Sequence, residues 1–130
     1  MPGAPHASAA VGTEAGGFRV VGGGDGKLHI AAWGYWPVEV VNAFSVHAPA
    51  AAQTLTTSSV FVFDTKELKP QGAEGQEAIR VLFRVLARVS FAKGAIVRGN
   101  AVTCMQLLRL LRECNADGRI EFTDNQSFGA

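Results

Sequence analysis

Four consecutive apolar, β-prone residues, Val60-Phe61-Val62-Phe63, constrain this chain more than any other feature. A run without polar alternation belongs to a strand covered on both faces, as in the centre of a sheet that carries helices. The residues that follow agree with this. From residue 74 to residue 89 the apolar positions Ala78, Ile79, Leu82, Val85, Leu86 and Val89 recur at spacings of three and four, which predicts an amphipathic helix. Glu74 and Glu77 lie in its first turn, where the helix dipole favours anions. A central strand leading straight into such a helix is the unit from which α/β sheets are built.

The flanking segments extend the same pattern. Residues 18–21 and 28–33 are β-prone runs joined by GGGDGK, which predicts an antiparallel hairpin. That glycine-rich stretch is no phosphate loop: the span from Gly22 to Gly26 is one residue too short before Lys27, and Leu28 stands where Ser or Thr should hold magnesium. Pro37 suits a first helical turn, with Val40, Val41, Phe44 and Ala48 on one side of the helix; Pro49 should kink or end it near His47. Residues 95–97 read as a strand, residues 101–114 as an amphipathic helix through Val102, Met105, Leu108 and Leu111, and residues 119–122 as a final strand. The expected fold is therefore α/β, with order β-β-α-β-α-β-α-β: a mixed, mostly parallel sheet of about five strands with three main helices. Residues 1–16 are small and interrupted by Pro and Gly, and read as a disordered leader; the domain spans 17–124 and a tail 125–130.

Composition narrows the function classes. Twelve Lys plus Arg against eleven Asp plus Glu leave no global field to attract nucleic acid or a membrane surface. No stretch approaches the ~20 apolar residues of a spanning helix, so no direct membrane insertion is expected. Cys104 and Cys114 fall ten residues apart in one predicted helix, about 15 Å along its axis, too far to bridge; they read as buried thiols and place the protein in the cytoplasm. His6, His29 and His47 lie in separate elements with no Cys or carboxylate at ligand spacing, so neither a metal nor another cofactor is expected. No nucleophile elbow or other catalytic signature is present, and no catalytic residue is assigned. Met1-Pro2 would offer an amino-terminal proline base only at the start of a buried strand, and a flexible segment follows instead. Arg80, Arg84 and Arg88 line one side of the central helix and read as its solvated polar face in preference to a stripe that meets an acidic partner, although Val81 and Phe83, off the main apolar stripe, point modestly to contact. Trp33, Tyr35 and Trp36 form either a local core or an exposed anchor, with the local core favoured.

The stretch FVFDTKELKPQGAEGQEAIRVLF keeps Asp64 at the end of the central strand and Gly75 eleven positions on, and RGNAVTCMQLLRLL passes from a later strand into a helix. Together with the element order, these stretches resemble the STAS domains of sulfate transporters and anti-sigma factor antagonists, over roughly residues 18–124. In that family an Asp-Ser-Ser/Ala-Gly type of sequence opens the helix after the central strand. The resemblance puts Gly72 at the family's Asp, Ala73 at its phosphorylated Ser or Thr, Glu74 after it, and Gly75 at the matching glycine. Only the glycine is kept. Ala73 has no hydroxyl, so the usual phosphorylation switch is absent.

The resemblance implies a non-catalytic regulatory module, with Asp64, Gly72, Ala73, Glu74, Gly75, Arg80 and Arg84 meeting a regulatory protein such as an anti-sigma kinase or phosphatase. It also allows a cytosolic STAS subunit of a membrane transporter, and a homodimer. A small-molecule binder using the crevice at the strand ends near Asp64 and Gly99 is the remaining alternative.

Overall fold

The structure is a computed structural model that describes residues 8–124. Nine elements follow in order: β1 (Ser8–Thr13), β2 (Gly16–Gly22), β3 (Lys27–Gly34), α1 (Val38–Ala52), β4 (Val60–Leu68), α2 (Ala73–Leu86), β5 (Lys93–Val97), α3 (Ala101–Glu113) and β6 (Glu121–Thr123). The six strands lie in one sheet in sequence order. β1, β2 and β3 pair antiparallel, whereas β3 to β6 pair parallel through α1, α2 and α3.

This order decides where the core lies. Each crossover moves one strand in the same direction, and crossovers of the usual right hand then put all three helices on one face of the sheet. The core agrees: Phe18, Ile30, Phe61, Phe63 and Ile96 join Phe44 of α1, Leu82 of α2 and Leu110 of α3 in a single cluster. Val62, Ala95 and Val97 are also buried but stand outside that cluster, on the second face. The helices thus cover β4 on one face, not on both as its apolar run suggests.

Several sequence expectations are corrected. The leader is not disordered throughout, because residues 8–13 form β1 and Gly16 already belongs to β2. A strand of small residues with Val11 alone packed against the core gains its place chiefly from backbone pairing, so composition conceals it. The turn into β2 depends on Gly12 at φ +109, where a Cβ would sit 2.3 Å from the Gly16 carbonyl oxygen. The sheet consequently has six strands rather than five. Residues 1–7 of the expected leader and the tail 125–130 lie outside the described residues. Helix α1 runs through Pro49 to Ala52. Proline costs it one backbone bond, and the buried Ala48, Ala51 and Ala52 around it offset this by lying close against the core. β4 continues past Asp64 to Leu68, because its backbone stays paired with β3 as far as Gly34.

The hairpin loop before β3 is held at the other end of the sheet. Gly22, Gly23 and Gly24 all have positive φ, a region that side chains disfavour. Thr54 Oγ1 accepts from the Gly24 amide, Ser59 Oγ donates to the Gly24 carbonyl, and Thr56 Oγ1 donates to Asp25 Oδ1. The loop is thereby tied to the segment between α1 and β4, which accounts for its glycines without any phosphate ligand.

Candidate functional site

Beyond Leu68 the chain turns through Lys69, Pro70 and Gln71 into α2, at the carboxyl end of the parallel strands. Gln71 organises this turn. Its side chain is buried; Oε1 accepts from the Trp36 amide, and Nε2 donates to the carbonyls of Gly34 and Lys69. Its backbone is held as well, the amide donating to Gln106 Oε1 of α3 and the carbonyl accepting from Gln76 and Gln106. One residue thus joins the end of β3, the loop, α2 and α3. A buried amide with all its hydrogen bonds made is costly to disturb, so this end of the sheet is a firm platform.

On that platform lies a concavity of about 310 Å3 lined by Tyr35, Trp36, Val41, Gln71 and residues 72–75. The aromatic trio expected to gather here is divided. Trp36 is buried, packs on Phe44 with centroids 4.6 Å apart and donates from Nε1 to the Gly17 carbonyl. Trp33 lies half-buried on the second face, beneath the Arg19 guanidinium. Tyr35 is 56% exposed; Val38, 55% exposed, lines the adjoining crevice between α1 and α2 that Val41 and Glu74 share. Ala73 and Glu74 are exposed on the first turn of α2.

Gly72, Ala73, Glu74 and Gly75 follow one another into the first turn of α2, and the two glycines stand there for packing reasons of their own. A Cβ on Gly75 would meet the Gln71 side chain at 2.9 Å, and one on Gly72 would meet Tyr35 Oη at 2.8 Å. Neither glycine has positive φ. Both leave room for a neighbour, whatever their place in a motif.

The other expected site residues lie apart from this group. Asp64 is not at the strand end: it shares the parity of the buried Val62, on the second face, and its Oδ1 accepts from the Lys66 amide. His29, in register with Val62, is half-buried on the same face; burial chiefly pulls its pKa below the ordinary value, nearby Asp64 opposes this, and Lys27 and Arg19 add to it. Arg80 is drawn into an ion-pair cluster between α2 and α3. It reaches Glu77 and Glu113, while Arg109 also bonds Glu113. These contacts raise the Arg80 pKa, through Glu113 first and Glu77 second, and Arg80 and Arg109 lower that of Glu113. Arg84 is half-exposed with a long 3.4 Å contact to Glu77, and Arg88 is exposed. Phe83 does not favour a contact surface, being fully buried edge-on to Phe63.

Gly99 is held for a structural reason, since a Cβ there would lie 2.2 Å from the Lys66 carbonyl oxygen. Thr65 is buried, with Oγ1 donating to the Val97 carbonyl, so its hydroxyl is closed to modification. The thiols are half-buried rather than buried; Cys114 caps α3, and desolvation pushes its pKa up. Among the described residues no three His, Cys, Asp or Glu side chains gather to hold a metal ion, and no helix is long and apolar enough to cross a membrane.

Sequence reasoning missed Gln71 and Val38 as parts of the platform. Gln71 gave no signal, because a lone glutamine in a polar loop looks solvated until its partners are placed around it. Val38 was legible only as an apolar residue off the Val40-Phe44-Ala48 stripe. Comparison of the chain with protein-family models, curated proteins and solved structures returns no match in any of the three.

Proposed function

We propose that this chain is a non-catalytic regulatory protein-binding module of the STAS type, meeting a partner such as an anti-sigma kinase or phosphatase at the end of the sheet formed by Tyr35, Val38 and residues 72–75. The supporting observation is the exposure of Tyr35, Ala73 and Glu74 around a concavity whose base, the loop into α2, is held from four sides by Gln71, with exposed Val38 in the adjoining crevice. An exposed aromatic side chain on a rigid base loses little entropy on docking, which is how interface anchors gain their affinity. Arg84 and Arg88 extend the contact along α2, whereas Arg80 is engaged within the fold. With Ala73 at the position of the family's phosphorylated residue, the contact is independent of phosphorylation there.

Replacing Tyr35 with a photo-crosslinking phenylalanine analogue tests the surface directly, with Met105 on α3 as the comparison site. The partner is expected to crosslink at position 35, and Tyr35→Ala with Glu74→Lys to weaken its binding about tenfold or more. Crosslinking at position 105 alone, or full binding by the double variant, would assign the contact elsewhere. Recovery of the partner from the membrane fraction would turn the reading towards a transporter subunit, and a bound metabolite towards a small-molecule binder.

A further inference from the structure

The two edges of the sheet are treated differently. β6 is three residues long, with Glu121 exposed and the Arg98–Asp124 ion pair beside its end. Short strands and charges are the usual means by which an edge is kept from pairing with another chain. β1, at the other edge, is six residues long, reads SAAVGT, and contains neither a charge nor a proline. Among the described residues it has a strand partner on one side only, so its outer row of amides and carbonyls is open to another strand.

We propose that β1 pairs antiparallel with β1 of a second copy of this chain, giving one continuous sheet across a two-fold axis. In such an interface each surface meets itself, so the patch must be free of like-charge conflict. The strand meets that condition, having no charged residue at all. A two-fold perpendicular to the sheet also keeps the faces matched, so that the two α1 helices come together on the same side.

The side of α1 that would face its copy fits the same condition. Val41, Asn42 and Ser45 line a crevice with α2, whereas helical spacing puts Ala43, His47 and Ala50 on the opposite flank, towards β1 and β2, where His47 lies against the Phe18 ring, and puts Val46 next to them on the outward side. Val46 is 65% exposed, the most exposed large apolar residue of this helix. The small Ala43 and Ala50 let two helices approach closely, and the ionisable groups on that flank are Glu39 in the first turn and the exposed His47. A strand ladder alone falls short of the roughly 1,200 Å2 that a stable interface buries, and this helix side supplies further apolar area.

Charge exchange at Ala10 tests the pairing. Ala10 is exposed, opposite Arg19 in the middle of β1, so a long side chain there disturbs no core contact. Sedimentation equilibrium in the micromolar range is expected to show a dimer for the wild type and for Ala10→Ser. Ala10→Lys alone and Ala10→Glu alone are each expected to be monomeric, with unchanged circular dichroism, and an equimolar mixture of the two to dimerise again. Val46→Glu should weaken the wild-type dimer. A wild-type monomer, a dimer indifferent to both charged variants, or a mixture that stays monomeric would each overturn the proposal. None of these readouts depends on the Tyr35 surface.

Discussion

The glycine-bearing loops at the two ends of the parallel strands look alike in sequence and are built on different physics. In the loop before β3, Gly22, Gly23 and Gly24 are required by their backbone, all three at positive φ. In the loop after β4, Gly72 and Gly75 have ordinary φ and are required by space, since Tyr35 and Gln71 occupy the volume of a Cβ. The first loop is anchored by the hydroxyls of Thr54, Thr56 and Ser59, the second by the single amide of Gln71. A glycine at a motif position is therefore weak testimony about function until its neighbours are known. Of the two loops, only the second presents exposed Tyr35, Ala73 and Glu74 around a concavity.

Substitutions in the two loops separate the two kinds of glycine requirement. Gln71→Ala leaves the buried Trp36 amide without its partner and takes one donor each from the carbonyls of Lys69 and of Gly34, the latter keeping the Lys69 amide. One unsatisfied buried amide and the other lost bonds should together cost roughly 2–4 kcal/mol in urea unfolding, the largest loss in this series. Gly22→Ala puts a Cβ 2.1 Å from the Lys27 carbonyl oxygen at φ +86, and backbone strain of that kind should cost about 2 kcal/mol in the same measurement. Gly75→Ala must push the Gln71 side chain aside. It should cost about 1–2 kcal/mol and, unlike Gly22→Ala, should become nearly silent in a Gln71→Gly background, where the Cβ, Cγ and Oε1 it would meet are all gone, a coupling read from the double-mutant cycle. Gly24→Ala has open space around it but φ +64, so only the left-handed backbone penalty of about 1 kcal/mol applies.

The smallest effect lies outside both loops. The pKa of His29 is lowered in the fold from its ordinary 6.5, so between the two values the unfolded chain binds more protons. Stability should then be greatest above that ordinary value and decline as pH falls through the lowered one. His29→Gln should flatten this decline in melting temperature against pH, and Asp64→Asn should deepen it by removing the carboxylate that favours the charged form.

The elements were largely legible. The apolar run at residues 60–63 and the stripe from Ala78 to Leu86 report burial directly, and both elements stand where periodicity put them. β1 was not legible, because Ser, Ala and Gly carry no alternation and the strand is held through its backbone. Nor was the course of α1 through Pro49, since the local penalty of proline is visible in sequence while the packing that offsets it is not. At the candidate site, residues 72–75 were found by counting from Gly75, but Asp64 was misplaced. A strand end cannot be located when polar and apolar residues both continue in pairing, as Asp64-Thr65-Lys66-Glu67-Leu68 do.

Local pattern and side-chain chemistry were enough to establish the α/β class, the central strand, the two amphipathic helices after it and the lack of a hydroxyl at position 73. Tertiary structure alone decided the rest. It put the helices on one face, sent Asp64 to the other, drew Arg80 into the α2–α3 ion pairs and set Tyr35 against Gly72, because those outcomes depend on strand order and on which distant residues meet.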